Sequence, residues 1–282
     1  MSPYPSGSGS RRISRADSFT GFDFSRTSEI SSITTGSGRV GDEGVIGLAG
    51  RRVVLTGASR GIGRACALRL AGGGARILAV ARGGEALDAL AGEAAELPGR
   101  IVPYPGDVTD ETGAEALAEE AGKRLGGVDA LVNNAGAAVF REIEALSPEN
   151  FDATLAVCLK APYLLTRSLA PLLEESGGDV INISSIAAVD GFSGGAAYCA
   201  AKAGLEGLSR ALVQELRPRG IRVTILRPGA TATRMWEGIP GEFDASKMIP
   251  PGVVAESLEY VLTLSREAWT ETLVLYPPGG KV

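Results

Sequence analysis

The sequence predicts an α/β fold: one doubly wound, mostly parallel sheet of about seven strands with helices on both faces, in a single domain spanning 46–282. Two observations predict it. From Arg51 onward, short β-branched runs recur with Ala/Leu-rich stretches of helical period between them. The turns with unusual residue chemistry follow the C-terminal ends of those runs, where open α/β sheets bind their ligands.

The strands are expected at 52–56, 77–81, 101–104, 130–133, 180–184, 223–226 and 273–276. Each is a short run rich in β-branched residues, and its alternation with helical stretches is the βαβ signature of a mostly parallel sheet. The intervals are of helical period, including a helix after Pro148, one over 197–216 and one over 253–265. Right-handed crossovers then place helices on both sides of the sheet. Residues 1–45 are rich in Ser, Thr and Gly, show no sustained period and read as a flexible tail. A transit peptide is the alternative, against which stand Asp17, Asp23 and Glu29. Arg11-Arg12-Ile13-Ser14 in the tail has the form of a basophilic phosphorylation motif, a match that short sequences often make by chance.

Composition removes several function classes. Asp and Glu exceed Lys and Arg by 33 to 28, a net charge of −5, which argues against a nucleic-acid partner. The chain has three cysteines (Cys66, Cys158 and Cys199), no C-x-x-C pair and no histidine, so no metal site is expected. Sparse cysteines suit a reducing compartment, and cytoplasm is the expected location. No apolar run approaches the roughly 20 residues of a membrane span. Without histidine, proton transfer near neutral pH falls to Tyr, Lys, Cys, Asp or Glu.

The first strand leads into Thr56-Gly57-Ala58-Ser59-Arg60-Gly61-Ile62-Gly63, with helix from Arg64. Glycines allow a tight turn and close approach of backbone to a pyrophosphate, and the helix N-terminus offers free N–H groups. This is a Rossmann-type strand–turn–helix, although a Gly-rich turn can also do no more than pack a helix on a strand. After the fifth strand stands Ser185, and thirteen residues later Tyr198, followed by Lys202. Tyr and Lys at i and i+4 share one helix face, and a nearby ammonium favours the phenolate of a tyrosine.

The glycine spacing G-x-x-x-G-x-G, together with Ser185 and Tyr198-x-x-x-Lys202, resembles the short-chain dehydrogenase/reductase family over about 48–276. Asp107-Val108, Asn133-Asn134-Ala135-Gly136, and Pro228-Gly229 with Thr231 and Thr233 match further motifs of that family in order. The resemblance implies NADPH/NADP bound by Gly57, Ser59, Arg60, Gly61, Ile62, Gly63, Arg82, Asp107, Val108, Asn134, Ala135, Gly136, Tyr198, Lys202, Pro228, Gly229, Thr231 and Thr233. It also implies catalysis by Ser185, Tyr198 and Lys202, a small-molecule carbonyl substrate, and a homodimer or homotetramer. The phosphorylated cofactor is favoured because the second strand ends Val80-Ala81-Arg82, where NAD-preferring members carry an acid, and because Arg60 adds a second cation.

Many members carry an Asn in a proton relay where this chain has Cys158, and a thiol lacks an amide's donor and acceptor pair. Cys158 reads as a small buried helix residue, as does Cys199. The implied activity is reduction of a ketone or aldehyde with Tyr198 as general acid/base. The alternatives are a 3-oxoacyl thioester reductase, which the chain end Leu275-Tyr276-Pro277-Pro278-Gly279-Gly280 weakly disfavours, and a non-catalytic NADPH-binding regulatory protein. Met235, Trp236, Ile239, Phe243 and Met248 read equally well as an apolar substrate lid and as a local packing cluster.

Overall fold

The computed structural model describes residues 47–236 and 244–280; the N-terminal tail with its Arg11–Ser14 motif, and Ile239 and Phe243 of the expected lid, lie outside the described residues. Seven strands form one parallel sheet: β1 (Arg52–Thr56), β2 (Arg76–Ala81), β3 (Arg100–Pro105), β4 (Ala130–Asn133), β5 (Asp179–Ile183), β6 (Arg222–Pro228) and β7 (Thr272–Leu275). Their order is β3-β2-β1-β4-β5-β6-β7, so the winding reverses between β1 and β4. Crevices for ligands open at that switch, beyond the strand C-termini.

Seven helices connect the strands: α1 (Gly61–Gly72), α2 (Gly84–Glu93), α3 (Glu111–Leu125), α4 (Pro148–Leu155), α5 (Ala161–Ser176), α6 (Ala196–Leu216) and α7 (Pro251–Thr263). Alternation along the strands sorts them by face. Val53 and Leu55 point to the side covered by Leu70 of α1, Leu87 of α2 and Leu258 of α7. Val54 points to the other side, with Leu117 of α3, Leu165 of α5 and Leu212 of α6. With both faces covered, the central strands must be apolar throughout, which is why they read as continuous runs.

Sequence and structure differ by one or two residues at several strand ends, the usual scatter at element boundaries. In β3, Pro103 and Pro105 are tolerated because this strand lies at the sheet edge, where an N–H can be absent from the ladder. The helix expected after Pro148 is interrupted by a π-turn, Ala156–Lys160, between α4 and α5. Its cause is legible. Pro162 has no N–H to give the carbonyl of Cys158, four residues earlier, so the α-helical ladder cannot run through unchanged.

The opposite end of the sheet is closed by charge. Asp179, at the start of β5, is 3% exposed and takes hydrogen bonds from Arg51 Nη2 and from Arg222 Nε at 2.6 Å, with Arg266 Nη1 at 3.6 Å. Arg51 also donates to Leu262 O of α7. One carboxylate thus gathers β1, β5, β6 and α7.

Candidate active site

The glycine turn is shaped by contact with the chain after β4. Gly57 has φ +66°, and a Cβ there would stand 2.8 Å from Ala135 Cα, so neither the backbone angle nor the space admits a side chain. A Cβ on Gly63 would meet Gly57 O at 2.1 Å, because α1 starts directly against the turn. Asn134 holds the turn from the side: its Nδ2 donates to Thr56 O at 2.9 Å and to Gly57 O at 3.2 Å. Thr56, buried at the end of β1, completes the junction, its Oγ1 accepting from Asn134 N at 3.1 Å and Ala135 N at 3.0 Å. The glycine turn and N-N-A-G, far apart in sequence, are therefore one unit.

Around this unit stand the other residues of the expected cofactor set. Ser59 is half-buried, Arg60 is exposed at the N-cap of α1, and Ile62 packs on the apolar core. Arg82 is exposed at the end of β2. Asp107 accepts from Thr109 N at 2.9 Å and Thr109 Oγ1 at 2.7 Å. Those bonds, with help from Arg82, hold its carboxyl below the usual range. Val108 is buried beside Val80 and Leu131 and serves packing. Gly136 borders the thiol of Cys158. Pro228 ends β6, and Gly229 N donates to Leu275 O at 2.8 Å, tying the loop after β6 to β7. Thr231 turns its hydroxyl to Gly229 O, and Thr233 reaches across to Gly61.

The three expected catalytic residues converge. Tyr198 and Lys202 share one face of α6, and the Lys202 Nζ stands 5.6 Å from the centre of the Tyr198 ring. Ser185, just past β5, takes a hydrogen bond from Ala187 N at 3.2 Å on its hydroxyl and lies near enough to the Tyr198 phenol to favour its charged form. Lys202 Nζ donates to Ile183 O, at the end of β5, at 2.7 Å. Burial raises the Tyr198 phenol well above its ordinary value, and Ser185 pulls it partly back. Burial pushes the Lys202 ammonium down. The expectation that Lys202 sets the phenol's titration is thus qualified, since the first determinant is burial, and the phenol holds its proton through neutral pH.

Cys158 sits in the π-turn, fully buried, with its thiol donating to Ala137 O at 3.3 Å. The reading as a packing residue fits, and so does that of Cys199, which packs on the same cluster. The Cys158 carbonyl lacks its α-helical donor, because Pro162 has no N–H.

Sequence reasoning missed three features. Phe140 meets the Tyr198 ring edge-on, with centroids 5.9 Å apart, and Phe192 at 5.6 Å. Phe192, Val189 and Ile143 are exposed on two loops fastened to each other by Arg141 N to Gly194 O at 3.0 Å and Ser193 Oγ to Glu142 Oε1 at 2.8 Å. Nothing in the local sequence flags these loops, because they meet only after both strands are in place. The third is Glu206, buried one turn beyond Lys202. Its i+4 spacing was the available signal. Of the expected lid, Met235 is exposed and Met248 is buried, so Met248 belongs to the packing.

Among the described residues no group of His, Cys, Asp or Glu could hold a metal, and no helix is long and apolar enough to cross a membrane.

Comparison with known proteins agrees with the fold. The family model for short chain dehydrogenases matches residues 51–242. The 3-oxoacyl-[acyl-carrier-protein] reductase of Thermotoga maritima is 36% identical over 194 residues, 68% of this chain and 79% of that protein. D-threitol dehydrogenase of Mycolicibacterium smegmatis is 36% identical over 210 residues, 73% of this chain and 80% of that protein. A short chain dehydrogenase from Burkholderia cenocepacia, solved in complex with NADP, superposes with a TM-score of 0.76 at 30% identity, covering 83% of this chain and 99% of that one. With a parallel sheet wound about the β1/β4 switch and these matches along most of its folded length, the chain belongs to the short-chain dehydrogenase family.

Proposed function

We propose that this oxidoreductase reduces a ketone or aldehyde with NADPH and with Tyr198 as the proton donor, or runs the reverse alcohol oxidation. The observation that carries the reading is the convergence of Tyr198 with Ser185 and Lys202 at the C-terminal edge of the sheet. The cofactor fits the residues present. Gly57 and Gly63 leave a turn with no room for side chains, and the start of α1, which has no side-chain cap, offers N–H groups to an anion. Arg60 and Arg82 are exposed cations with Ala81 in the place of an acid, an arrangement that suits a 2′-phosphate. The NADP complex of the Burkholderia relative supports the same choice. When bound, the reduced nicotinamide supplies a hydride to the carbonyl carbon.

The chain's own groups manage the proton. Tyr198, kept protonated by burial, gives its phenolic proton to the carbonyl oxygen while Ser185 hydrogen-bonds that oxygen. Lys202 stabilises the phenolate left behind, a charge that costs least beside an ammonium in a site screened from water. Phe140 beside Tyr198, with Phe192 against Phe140, favours a carbonyl with an apolar substituent. A second reading, a 3-oxoacyl thioester reductase, is favoured by the Thermotoga relative. The assembly is proposed as a homodimer or homotetramer in the cytoplasm, with residues 1–45 as a separate tail. A mass equal to one chain by light scattering would count against the oligomer.

The test is NADPH consumption over aldehydes, ketones and acetoacetyl thioesters, repeated with Tyr198→Phe. Loss of a proton donor should lower kcat/KM by about 10²–10⁴, with NADPH still bound. Full activity in the variant would overturn the reading. Tight NADPH binding with no turnover by the wild type on any substrate would favour a non-catalytic binding protein.

A further inference from the structure

We propose that Glu206 is a positioning residue for the Tyr198/Lys202 pair: its buried carboxylate keeps Lys202 charged and fastens the helix carrying both residues to the ends of β5 and β6. The proposal rests on the catalytic reading of that pair given above. Tyr198, Lys202 and Glu206 succeed one another at four-residue spacing and so lie along one face of α6. Glu206 is 2% exposed. Its Oε1 accepts from Ser184 Oγ at 2.8 Å and from Arg227 Nε at 2.7 Å, and its Oε2 accepts from Arg227 Nη2 at 2.6 Å.

Each partner adjoins a residue of the site. Ser184 lies between Ile183, whose carbonyl takes the Lys202 ammonium, and Ser185. Arg227 immediately precedes Pro228-Gly229. One carboxylate therefore sets the spacing between the helix bearing Tyr198, the strand end bearing Ser185, and the loop expected to meet the nicotinamide.

Packing alone does not call for a carboxylate here, because a buried ion pair is often no more stabilising than apolar side chains of the same volume. What the carboxylate adds is a field at Lys202. The groups that face Lys202 are the Ile183 carbonyl at the end of β5, Cys158 from the π-turn, and Tyr198 and Glu206 from its own helix. Burial pushes the ammonium down, and Cys158 and Glu206 oppose that. Of these only a carboxylate carries its charge throughout the neutral range. Burial acts to raise Glu206 as well, but Arg227 and Ser184, with Arg210 farther out, hold it below the usual carboxylate range. Glu206 stays ionised where Lys202 needs a counter-charge.

The test reads Lys202 directly, by NMR titration of the full chain labelled with 13Cε-lysine, the signal being assigned with Lys202→Arg. Glu206→Gln preserves the shape and removes the charge, and should lower the Lys202 midpoint by about one pH unit. The pH profile of NADPH-dependent reduction should lose its alkaline side at correspondingly lower pH. Glu206→Asp, which keeps the charge, should recover most of the midpoint. If Glu206→Gln fails to fold because Arg227 is left unpaired, the double variant with Arg227→Gln is read instead, with the same direction expected. A folded Gln variant whose Lys202 midpoint does not move overturns the proposal, whatever its thermal stability. The titration needs no turnover, so its failure is distinct from failure of the catalytic reading, which Tyr198→Phe tests.

Discussion

Thr56→Val would remove a single oxygen from beneath the glycine turn while nearly preserving the side chain's volume. That oxygen accepts from Asn134 N at 3.1 Å and Ala135 N at 3.0 Å, and donates to Val132 O at 3.3 Å. The variant leaves two backbone N–H groups without their acceptor, each worth about 1–3 kcal/mol when fully buried. Asn134 and Ala135 are half-buried, so water reaches them in part and the lower end applies, about 2 kcal/mol for both. The bond to Val132 is long and adds little, and the extra buried methyl group offsets about 0.8 kcal/mol. The net loss is about 1–2 kcal/mol, read as a lower urea midpoint at unchanged slope and a fall in Tm of about 3–6 °C. Because the same turn positions Asn134 against Gly57, NADPH affinity should weaken roughly tenfold. A variant with the wild-type urea midpoint and the wild-type NADPH affinity, by isothermal calorimetry, would refute the claim that Thr56 joins the two motifs.

Three other outcomes are expected. Asp179→Asn strips the common partner from Arg51, Arg222 and Arg266, two of them well buried, and should cost about 3–5 kcal/mol of unfolding free energy in urea; a loss below about 1 kcal/mol would mean that the arginines find other partners. Burial works against the charge of Asp129, yet the Arg52 fork and N–H win and hold its carboxyl below the usual range. A depressed folded value means this contribution is present above about pH 4 and is lost as the pH falls through the folded value. Arg52→Met should therefore move the acid-unfolding midpoint, followed by circular dichroism, to higher pH, and an unchanged midpoint would exclude the pair as a determinant. Arg82→Glu should reverse cofactor preference, reducing kcat/KM with NADPH by at least about tenfold while that with NADH holds or rises; unchanged selectivity would assign the 2′-phosphate to other residues.

Much of the site was legible because it depends on local chemistry. Gly57, Gly61 and Gly63 announce a turn that only glycine permits, and Tyr198 and Lys202 announce a shared helix face by spacing alone. Pro162, visible in the sequence, likewise marks the break in the helical stretch after Pro148 where the π-turn Ala156–Lys160 forms. Phe140 and Phe192 were not legible. They lie 52 positions apart on loops without regular period, and only the pairing of β4 with β5 brings those loops together.

The sequence by itself determined the βαβ winding, the family motifs and the shared helix face of Tyr198 and Lys202, because periodicity, glycine geometry and i+4 spacing are properties of neighbours along the chain. Tertiary structure alone decided which charges are buried and which are solvated. Asp179 and Glu206 look like ordinary surface acids in the sequence, yet they sit at opposite ends of the sheet, Asp179 enclosed by arginines from other elements and Glu206 paired with Arg227 of β6. The titration of Tyr198 was likewise set by the fold. Its phenol is raised by desolvation, a quantity that exists only once the sheet, the π-turn and α6 have closed around it.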